Sequence, residues 1–313
     1  MRNRESRVFD WNSLPAGYAA RYEHLNEEYG QLYSTSAERL MTISGISRGD
    51  VVIDLGAGSG FSTEILAHRV GRRGRILAID PSIPMLERAR ERAYPCPITF
   101  HRGEAEGIHS IAEEEGFLGC DAVLSSFTYY YTFHDRPSLH RAVFDVLGTG
   151  GRWAFNLTKY LGEIRIAGNE YNEFGKIYVD QLKATVARHG IDPGIRNDES
   201  SGQFTDTAWE AAELQAAGFV DVEIEAWPLP LTPSQAFRFT LDGFYSHGSR
   251  VTFLPALMNV PIGKRIALMQ EALADCADEL DSHSAPYDSH SAPYIANFVA
   301  RRPEIHGDAA RSE

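Results

Sequence analysis

Between residues 50 and 157, short apolar runs alternate regularly with segments of helical periodicity, and this alternation restricts the fold more than any other feature. Each run has the length of a strand, and uninterrupted apolar character is typical of strands buried on both faces. The helical segments between them act as crossovers, which make consecutive strands parallel. The region therefore predicts an α/β fold with a doubly wound sheet. The predicted strands lie at 51–55, 75–79, 98–101, 122–125 and 152–157.

The flanking segments extend this sheet or cover it. Tyr18, Tyr22 and Leu25 recur at helical spacing, an alternating pattern at 220–227 predicts a further strand, and residues 294–300 predict a final one. Residues 158–206 break the alternation with helical segments and a polar loop, which is typical of a lid. The expected organisation is an N-terminal helical cover (1–48), an α/β core (49–157), a helical insert or lid (158–206), the remainder of the core (207–303) and a disordered tail (304–313).

A glycine-rich loop, Asp54-Leu55-Gly56-Ala57-Gly58-Ser59-Gly60, follows the first predicted strand and opens a helix. Glycine allows a sharp turn and lets a ligand approach main-chain N–H groups closely. The spacing is G-x-G-x-G, whereas a dinucleotide site has G-x-G-x-x-G, and Phe61 occupies the position of that third glycine. The loop predicts a nucleoside ligand, and its spacing argues against a nicotinamide dinucleotide.

Polar residues also follow the next predicted strands. Asp80 ends the second strand, where a carboxylate can accept both hydroxyls of a ribose. Glu104 follows the third strand and Ser126 the fourth. Because the carboxyl ends of parallel strands meet at one edge of a sheet, we expect these residues to form one site with the loop.

With these residues the chain resembles the class I S-adenosylmethionine-dependent methyltransferases of the small-molecule type, over residues 50–157. The resemblance implies a seven-stranded Rossmann-like sheet, a last strand antiparallel beside strand six, and S-adenosyl-L-methionine as cofactor. It implies that the glycine loop approaches the methionine part, Asp80 the ribose, and Glu104 the adenine, with Met85 against the adenine ring. The implied cofactor-binding residues are Tyr22, Asp54, Gly56, Ala57, Gly58, Asp80, Pro81, Met85, Glu104, Ala105, Ser126 and Phe127.

Some of these residues also fit a structural interpretation. Asp54 could organise the loop or cap the helix, Asp80 could be a turn residue before Pro81, and Glu106 could take the place of Glu104. These alternatives remain open at the level of sequence.

Three residues are candidates for the chemistry. Tyr130 belongs to an aromatic run after the fourth strand, where rings could hold a sulfonium by cation–π contact. His134 is a candidate general base or, alternatively, a helix-entry residue. Glu170, one turn from Glu173 on an expected helix, could remove a proton from a carbocation after C-methylation, or could lie on a solvated face.

Composition excludes several classes of partner. The chain has 30 Lys and Arg against 43 Asp and Glu, and a net charge of −13 argues against nucleic acid. No run of 18 apolar residues or signal-peptide pattern is present, so we expect neither a membrane association nor export. The three cysteines lie far apart, which predicts a reducing cytoplasm and no metal site. The arginines at 88, 90 and 92 are expected on a solvated helix face, and a homo-oligomer stays open.

The sequence thus predicts methyl transfer to a small, largely apolar or aromatic metabolite, on O, N or C. C-methylation of a prenyl chain or prenyl diphosphate is a specific variant, and only a diphosphate substrate would call for Mg²⁺. The alternatives are an NAD-dependent oxidoreductase and a non-catalytic S-adenosylmethionine-binding protein or cyclase.

Overall fold

The computed structural model describes residues 18–128, 135–159, 165–166, 170–171, 173–193, 207–228, 231–243, 254, 256–257, 260–282 and 294–304. Its helices are α1 (Tyr18–Glu28), α2 (Leu32–Ile43), α3 (Phe61–Val70), α4 (Ile83–Arg90), α5 (Ile108–Glu114), α6 (Arg136–Val146), α7 (Glu173–Arg188), α8 (Thr207–Ala216), α9 (Pro233–Gly243) and α10 (Ile262–Ser282). Its strands are β1 (Val51–Leu55), β2 (Arg75–Asp80), β3 (Ile98–Arg102), β4 (Cys120–Ser125), β5 (Leu147–Lys159), β6 (Arg165–Ile166), β7 (Glu170–Tyr171), β8 (Val220–Pro228) and β9 (Tyr294–Arg301).

Seven strands form one mixed sheet in the order β3-β2-β1-β4-β5-β9-β8. β1 lies inside the sheet and pairs in parallel with β2 and β4, and β2–β3 and β4–β5 are also parallel. The chain crosses from one side of β1 to the other between β3 and β4, and ligands bind at such a switch point in open α/β sheets. The predicted seven-stranded doubly wound fold is confirmed, with the last strand, β9, beside β8, which is the sixth strand of this sheet in chain order.

Helix boundaries follow local chemistry. α3 begins at Phe61, directly after the glycine loop, as the sequence predicts. α4 begins at Ile83, and Pro84 fits the first turn of a helix, where its missing N–H is not needed. α6 begins at Arg136, and the Asp135 carboxylate caps it by accepting the Ser138 backbone N–H at 3.2 Å.

The insert differs from its prediction. The sequence predicts helical segments from about residue 161, but β6 and β7 form a short antiparallel pair, with Ile166 opposite Glu170. α7 begins only at Glu173. The prediction that Glu170 and Glu173 share a helix is therefore wrong, because pairing with β6 holds Glu170 in an extended conformation.

The described residues divide into two compact units. One contains the sheet and takes its residues from 31–158, 205–226 and 295–313. Its core lies between α2, α3 and the sheet, where Leu40, Leu66, Val52 and Ile76 are completely buried. No helix among the described residues is both long and apolar enough to cross a membrane.

The other unit takes its residues from 1–30, 159–204 and 227–294 and includes α1, α7, α9 and α10. Aromatic contacts hold it together. Tyr178 packs on Phe237 with ring centroids 4.8 Å apart, and Tyr29 meets Phe239 edge-on at 5.1 Å. The expected roles of cover for 1–48 and lid for 158–206 stay predictions.

Candidate active site

The glycine loop leaves β1 in a conformation that favours glycine at three alternate positions. Gly56, Gly58 and Gly60 have φ of +80°, +55° and +90°, in the left-handed region. The backbone N–H groups of Gly56 and Ala57 both donate to the Ile79 carbonyl of β2, at 2.8 and 3.0 Å. The loop is thus folded back over the neighbouring strand before α3 begins.

Close packing adds a second requirement at two of these glycines. A Cβ on Gly56 would lie 2.1 Å from Cγ2 of Thr128, whose hydroxyl donates to the Gly56 carbonyl at 3.0 Å. A Cβ on Gly60 would lie 2.8 Å from the Tyr94 hydroxyl. At Gly58 the nearest atom would be Cε of Met85, at 3.8 Å. The middle glycine therefore has room beside it, on the side of the residue expected to contact adenine.

Asp80 joins the loop to the end of β2. Its side chain is buried, with 8% of the residue exposed, and its two oxygens accept the Gly58 and Ser82 backbone N–H groups, each at 2.8 Å. Burial raises the pKa of Asp80 to about 6; the two N–H bonds oppose this rise, and the charges of Asp54 and Glu104 add to it. A carboxylate oxygen has two lone pairs, so each oxygen can accept a further hydroxyl. This geometry fits a ribose.

Asp54 lies beneath the loop rather than on its surface. It is completely buried and accepts hydroxyl bonds from Ser62 at 2.8 Å and Thr63 at 2.7 Å, in the first turn of α3. Burial raises its pKa to about 6, while the two hydroxyls lower it. Asp54 therefore joins the end of β1 to the first turn of α3, and its contact with a cofactor stays a prediction.

The residues expected around adenine also lie at the carboxyl ends of β2 and β3. Met85 and Ala105 are buried, Pro81 is half-buried, and Glu104 is exposed. Burial raises the pKa of Glu104, and the nearby charge of Glu106 adds to this rise. A carboxylate after β3 is therefore open to a ligand.

The end of β4 is fixed by a residue that sequence reasoning missed. The Asn156 side-chain oxygen, on β5, accepts the Phe127 backbone N–H at 2.7 Å, and its amide nitrogen donates to the Ser36 hydroxyl of α2 at 3.0 Å. Ser126, which directly precedes Phe127, is half-buried. The signal for Asn156 was an amide inside an otherwise apolar strand, because a buried amide needs partners.

Three aromatic side chains form what we call the aromatic rim: Tyr33, Phe61 and Phe127. Phe127 meets Tyr33 edge-on at 4.8 Å, and Tyr33 stacks on Phe61 at 6.5 Å. Tyr33 is the second residue of α2, and the sequence did not single it out as a site residue. Phe61 comes directly after the glycine loop, and Phe127 lies two residues after the end of β4.

Comparison with known proteins agrees with this geometry. The sequence model of a family described as "Methyltransferase domain" matches residues 52–151. The ubiquinone/menaquinone biosynthesis C-methyltransferase of Klebsiella pneumoniae is 30% identical over 213 residues, which cover 66% of this chain and 80% of that protein. The chain belongs to the class I S-adenosylmethionine-dependent methyltransferases.

Two further similarities add detail. An arsenite methyltransferase of Aquipseudomonas alcaligenes is 25% identical, over 64% of this methyltransferase and 60% of that protein. The solved structure of Haemonchus contortus phosphoethanolamine N-methyltransferase 2, in complex with S-adenosyl-L-methionine, aligns with a TM-score of 0.54 at 17% identity. That alignment covers 95% of this chain and 61% of the other. It supports the fold alone.

Membership of the family removes the dehydrogenase alternative. The candidates for chemistry in this methyltransferase are not located by the structure. Tyr130 and His134 lie outside the described residues, and for Tyr22 and Glu170 only the backbone is described, in α1 and β7. Their roles stay predictions.

Proposed function

We propose that this methyltransferase moves the methyl group of S-adenosyl-L-methionine to a small, largely apolar or aromatic acceptor, and that a ring or alkene carbon is the accepting atom. The observation that carries the proposal is the aromatic rim, which places three rings between the glycine loop and the end of β4. Tyr33 and Phe127 are buried and Phe61 is half-buried, so an apolar acceptor would bind mainly against the Phe61 ring, where burial of apolar surface is favourable. The name of the Klebsiella relative, a quinone C-methyltransferase, supports the same class of acceptor.

The chemistry asks little of the protein beyond placement. The acceptor carbon attacks the sulfonium methyl group in line, the carbon–sulfur bond breaks, and neutral S-adenosylhomocysteine leaves. Orientation and exclusion of water can supply several kcal/mol of the barrier. Ionised Asp80, close to the loop, would favour the positive charge of the bound sulfonium, since opposite charges attract strongly at a buried site.

A proton must then leave the methylated acceptor. We propose Glu170 as the base, with His134 as the second candidate, and Tyr130 as a ring that faces the cationic carbon. Glu173 is a matched control because it lies three residues away on the same insert. We expect Glu170→Gln to slow turnover strongly with unchanged cofactor affinity and Glu173→Gln to keep turnover; equal turnover in both variants would remove Glu170 from the chemistry.

Arsenite is a less favoured acceptor. Thiolates are the usual ligands of a soft, thiophilic element. The three cysteines are each buried, and burial raises the pKa of Cys120 to about 12 and that of Cys276 to about 11. These thiols are therefore protonated near neutral pH.

The acceptor class can be tested with methyl-labelled S-adenosyl-L-methionine and three acceptors: a prenylated naphthoquinol, arsenite and phosphoethanolamine. We expect label on a ring carbon of the quinol, located by mass spectrometry and NMR. Label on arsenite or phosphoethanolamine alone would contradict the acceptor class. Binding of S-adenosylhomocysteine without any transfer would favour the non-catalytic alternative.

Magnesium enters the proposal only for a prenyl diphosphate acceptor. Among the described residues, no three His, Cys, Asp or Glu side chains come together as a metal-binding group. A diphosphate acceptor would therefore bring its own Mg²⁺, and chelation should stop transfer to it while transfer to the uncharged quinol continues.

A further inference from the structure

Arg92 contacts the glycine loop from outside the family motif. The prediction that it lies on a solvated face is wrong, because its side chain is only 18% exposed. Its Nε donates to the Ser59 carbonyl oxygen at 2.8 Å. This arginine follows the end of α4 and reaches back over 33 residues to the loop.

The bond to Ser59 fixes one peptide unit at both ends. The carbonyl of the Ser59–Gly60 peptide accepts from Arg92, and the N–H of the same peptide, on Gly60, donates to the Ala57 carbonyl at 3.0 Å. A peptide is planar, so holding both polar groups sets its orientation. The orientation matters because Gly60 has a φ of +90° and is the N-cap residue of α3.

The guanidinium also holds the first turn of α3. Its Nη1 pairs with Oε2 of Glu64 at 2.5 Å, and its Cζ lies 4.6 Å from the centroid of the Phe61 ring. Arg92 therefore contacts three successive parts of the structure: the end of the loop, the aromatic rim and the first turn of the helix.

We propose that Arg92 is a positioning residue for cofactor binding, which holds the Ser59–Gly60 peptide and the Phe61 ring in place before the cofactor arrives. It acts through the loop and does not itself contact the cofactor. A preformed loop loses less conformational entropy on binding, so the effect falls on affinity. The proposal rests on the proposed use of this loop for S-adenosyl-L-methionine.

The contacts need an arginine. Its planar group can donate to a carbonyl, pair with a carboxylate and stack on a ring at once, whereas a lysine ammonium is a point charge without a stacking face. Lysine at this position should therefore restore only part of the affinity.

The test compares Arg92→Met with a matched control at the opposite edge of the sheet. Arg152 is similarly buried, with 13% of its side chain exposed. It bonds to the Asp50 carboxylate at 2.6 Å, the Gly45 carbonyl at 2.7 Å and the Asp121 carbonyl at 3.2 Å. Arg152→Met should therefore lower the melting temperature at least as much as Arg92→Met without reaching the loop.

We expect Arg92→Met to raise the dissociation constant of S-adenosylhomocysteine about tenfold, as for loss of a charge-assisted hydrogen bond. The KM for S-adenosyl-L-methionine should rise in parallel, with kcat at saturating cofactor little changed. The dissociation constant of Arg92→Lys should lie between those of the wild type and Arg92→Met. Arg152→Met should keep the wild-type dissociation constant.

Two results would overturn the proposal: an unchanged dissociation constant in Arg92→Met, or an equal rise in Arg152→Met. Hydrogen exchange without ligand separates this proposal from the proposed function. The Gly60 amide should exchange faster in Arg92→Met than in the wild type, and equal exchange rates would count against the positioning role. If the wild type binds no S-adenosylhomocysteine, the proposed function fails, while the exchange comparison still decides whether Arg92 holds the loop.

Discussion

The side-chain oxygen of Asn156 accepts the backbone N–H of Phe127 at 2.7 Å, and this bond holds a non-glycine residue in the left-handed region. Phe127 has a φ of +56°, a conformation that costs roughly 1–3 kcal/mol for a residue with a side chain. Packing of its ring against Tyr33 and the bond to Asn156 offset that cost. The direction in which the chain leaves β4 therefore depends on one amide from β5.

Replacing this amide should release the turn. We expect Asn156→Leu to lower the free energy of unfolding by about 2–3 kcal/mol, because the Phe127 N–H loses its buried acceptor. Methyl transfer should fall with it, since Thr128 follows in the same turn. Urea unfolding measures the loss. Ser126→Ala removes only a 3.4 Å contact with the same amide and serves as the control for unfolding alone, with little expected change in the free energy of unfolding.

A glycine of the loop can be compared with a glycine outside it. Gly71, which follows α3, has a φ of +64°, a ψ of −173° and nothing within 4 Å of an added Cβ, so Gly71→Ala should cost only the backbone term, about 1–3 kcal/mol. Gly56→Ala has a backbone cost of its own, and its added Cβ also collides with Thr128. We expect cofactor binding to be lost in Gly56→Ala and retained in Gly71→Ala, measured by calorimetry. Equal affinities would show that Thr128 moves aside freely.

Cofactor affinity should depend on pH through Asp80. Its pKa is raised from 3.8 to about 6, so the carboxylate loses its charge as the pH falls below 6. Because the sulfonium is positive, affinity should weaken from pH 7 to pH 5. Asp80→Asn should bind weakly throughout and show a flatter profile, although buried Asp54 contributes some dependence of its own.

Stability should change in the opposite direction. A carboxyl whose pKa is higher in the folded chain binds its proton more tightly when folded. Ionisation of Asp80 therefore lowers the free energy of unfolding as the pH rises from about 4 to above 6, by at most about 3 kcal/mol. We expect Asp80→Asn to lack this component, seen as a smaller decrease in unfolding free energy than in the wild type. An identical pH profile in both proteins would contradict the raised pKa.

A buried polar cluster at α6 gives a further prediction. Glu210 of α8 accepts from Arg136 at 3.2 Å and contacts His140 Nε2 at 2.9 Å, and the Trp153 indole N–H donates to His140 Nδ1 at 3.1 Å. Because an indole can only donate, His140 accepts this bond at Nδ1, and the ring proton that faces Glu210 lies on Nε2. Nitrogen NMR should show this tautomer at pH 7.

Removing the carboxylate leaves Arg136 buried without that partner. We expect Glu210→Leu to lower the free energy of unfolding by about 3–5 kcal/mol. Adding Arg136→Met in the same chain should recover part of that loss, because the buried guanidinium that has lost the Glu210 carboxylate is then gone. If the double variant is no more stable than Glu210→Leu, the charge pair is not the source of the effect.

The sequence was sufficient for features that depend on neighbouring residues. The strand–loop–helix unit from Val51 to Val70 and the position of Asp80 follow from apolar runs, glycine spacing and the edge at which parallel strands end. Asn156, Tyr33 and Arg92 could not be found in this way, because each acts on a segment tens of residues away. The prediction of a helix at Glu170 is wrong for a related reason. Helical periodicity in a short segment does not exclude pairing with a neighbouring extended segment, as β6 and β7 show.

The anchors of the glycine loop also set a limit for protein engineering. Asp80 binds Gly58, Arg92 binds Ser59, and Thr128 packs on Gly56, so the loop is supported from three later points in the chain. A chimera that takes only residues 56–60 from a distant homologue would place that loop against side chains at 80, 92 and 128 that do not match it. The smallest block that can be transplanted with its supports intact runs from the start of β1 through Asn156, because Asn156 holds the turn that carries Thr128.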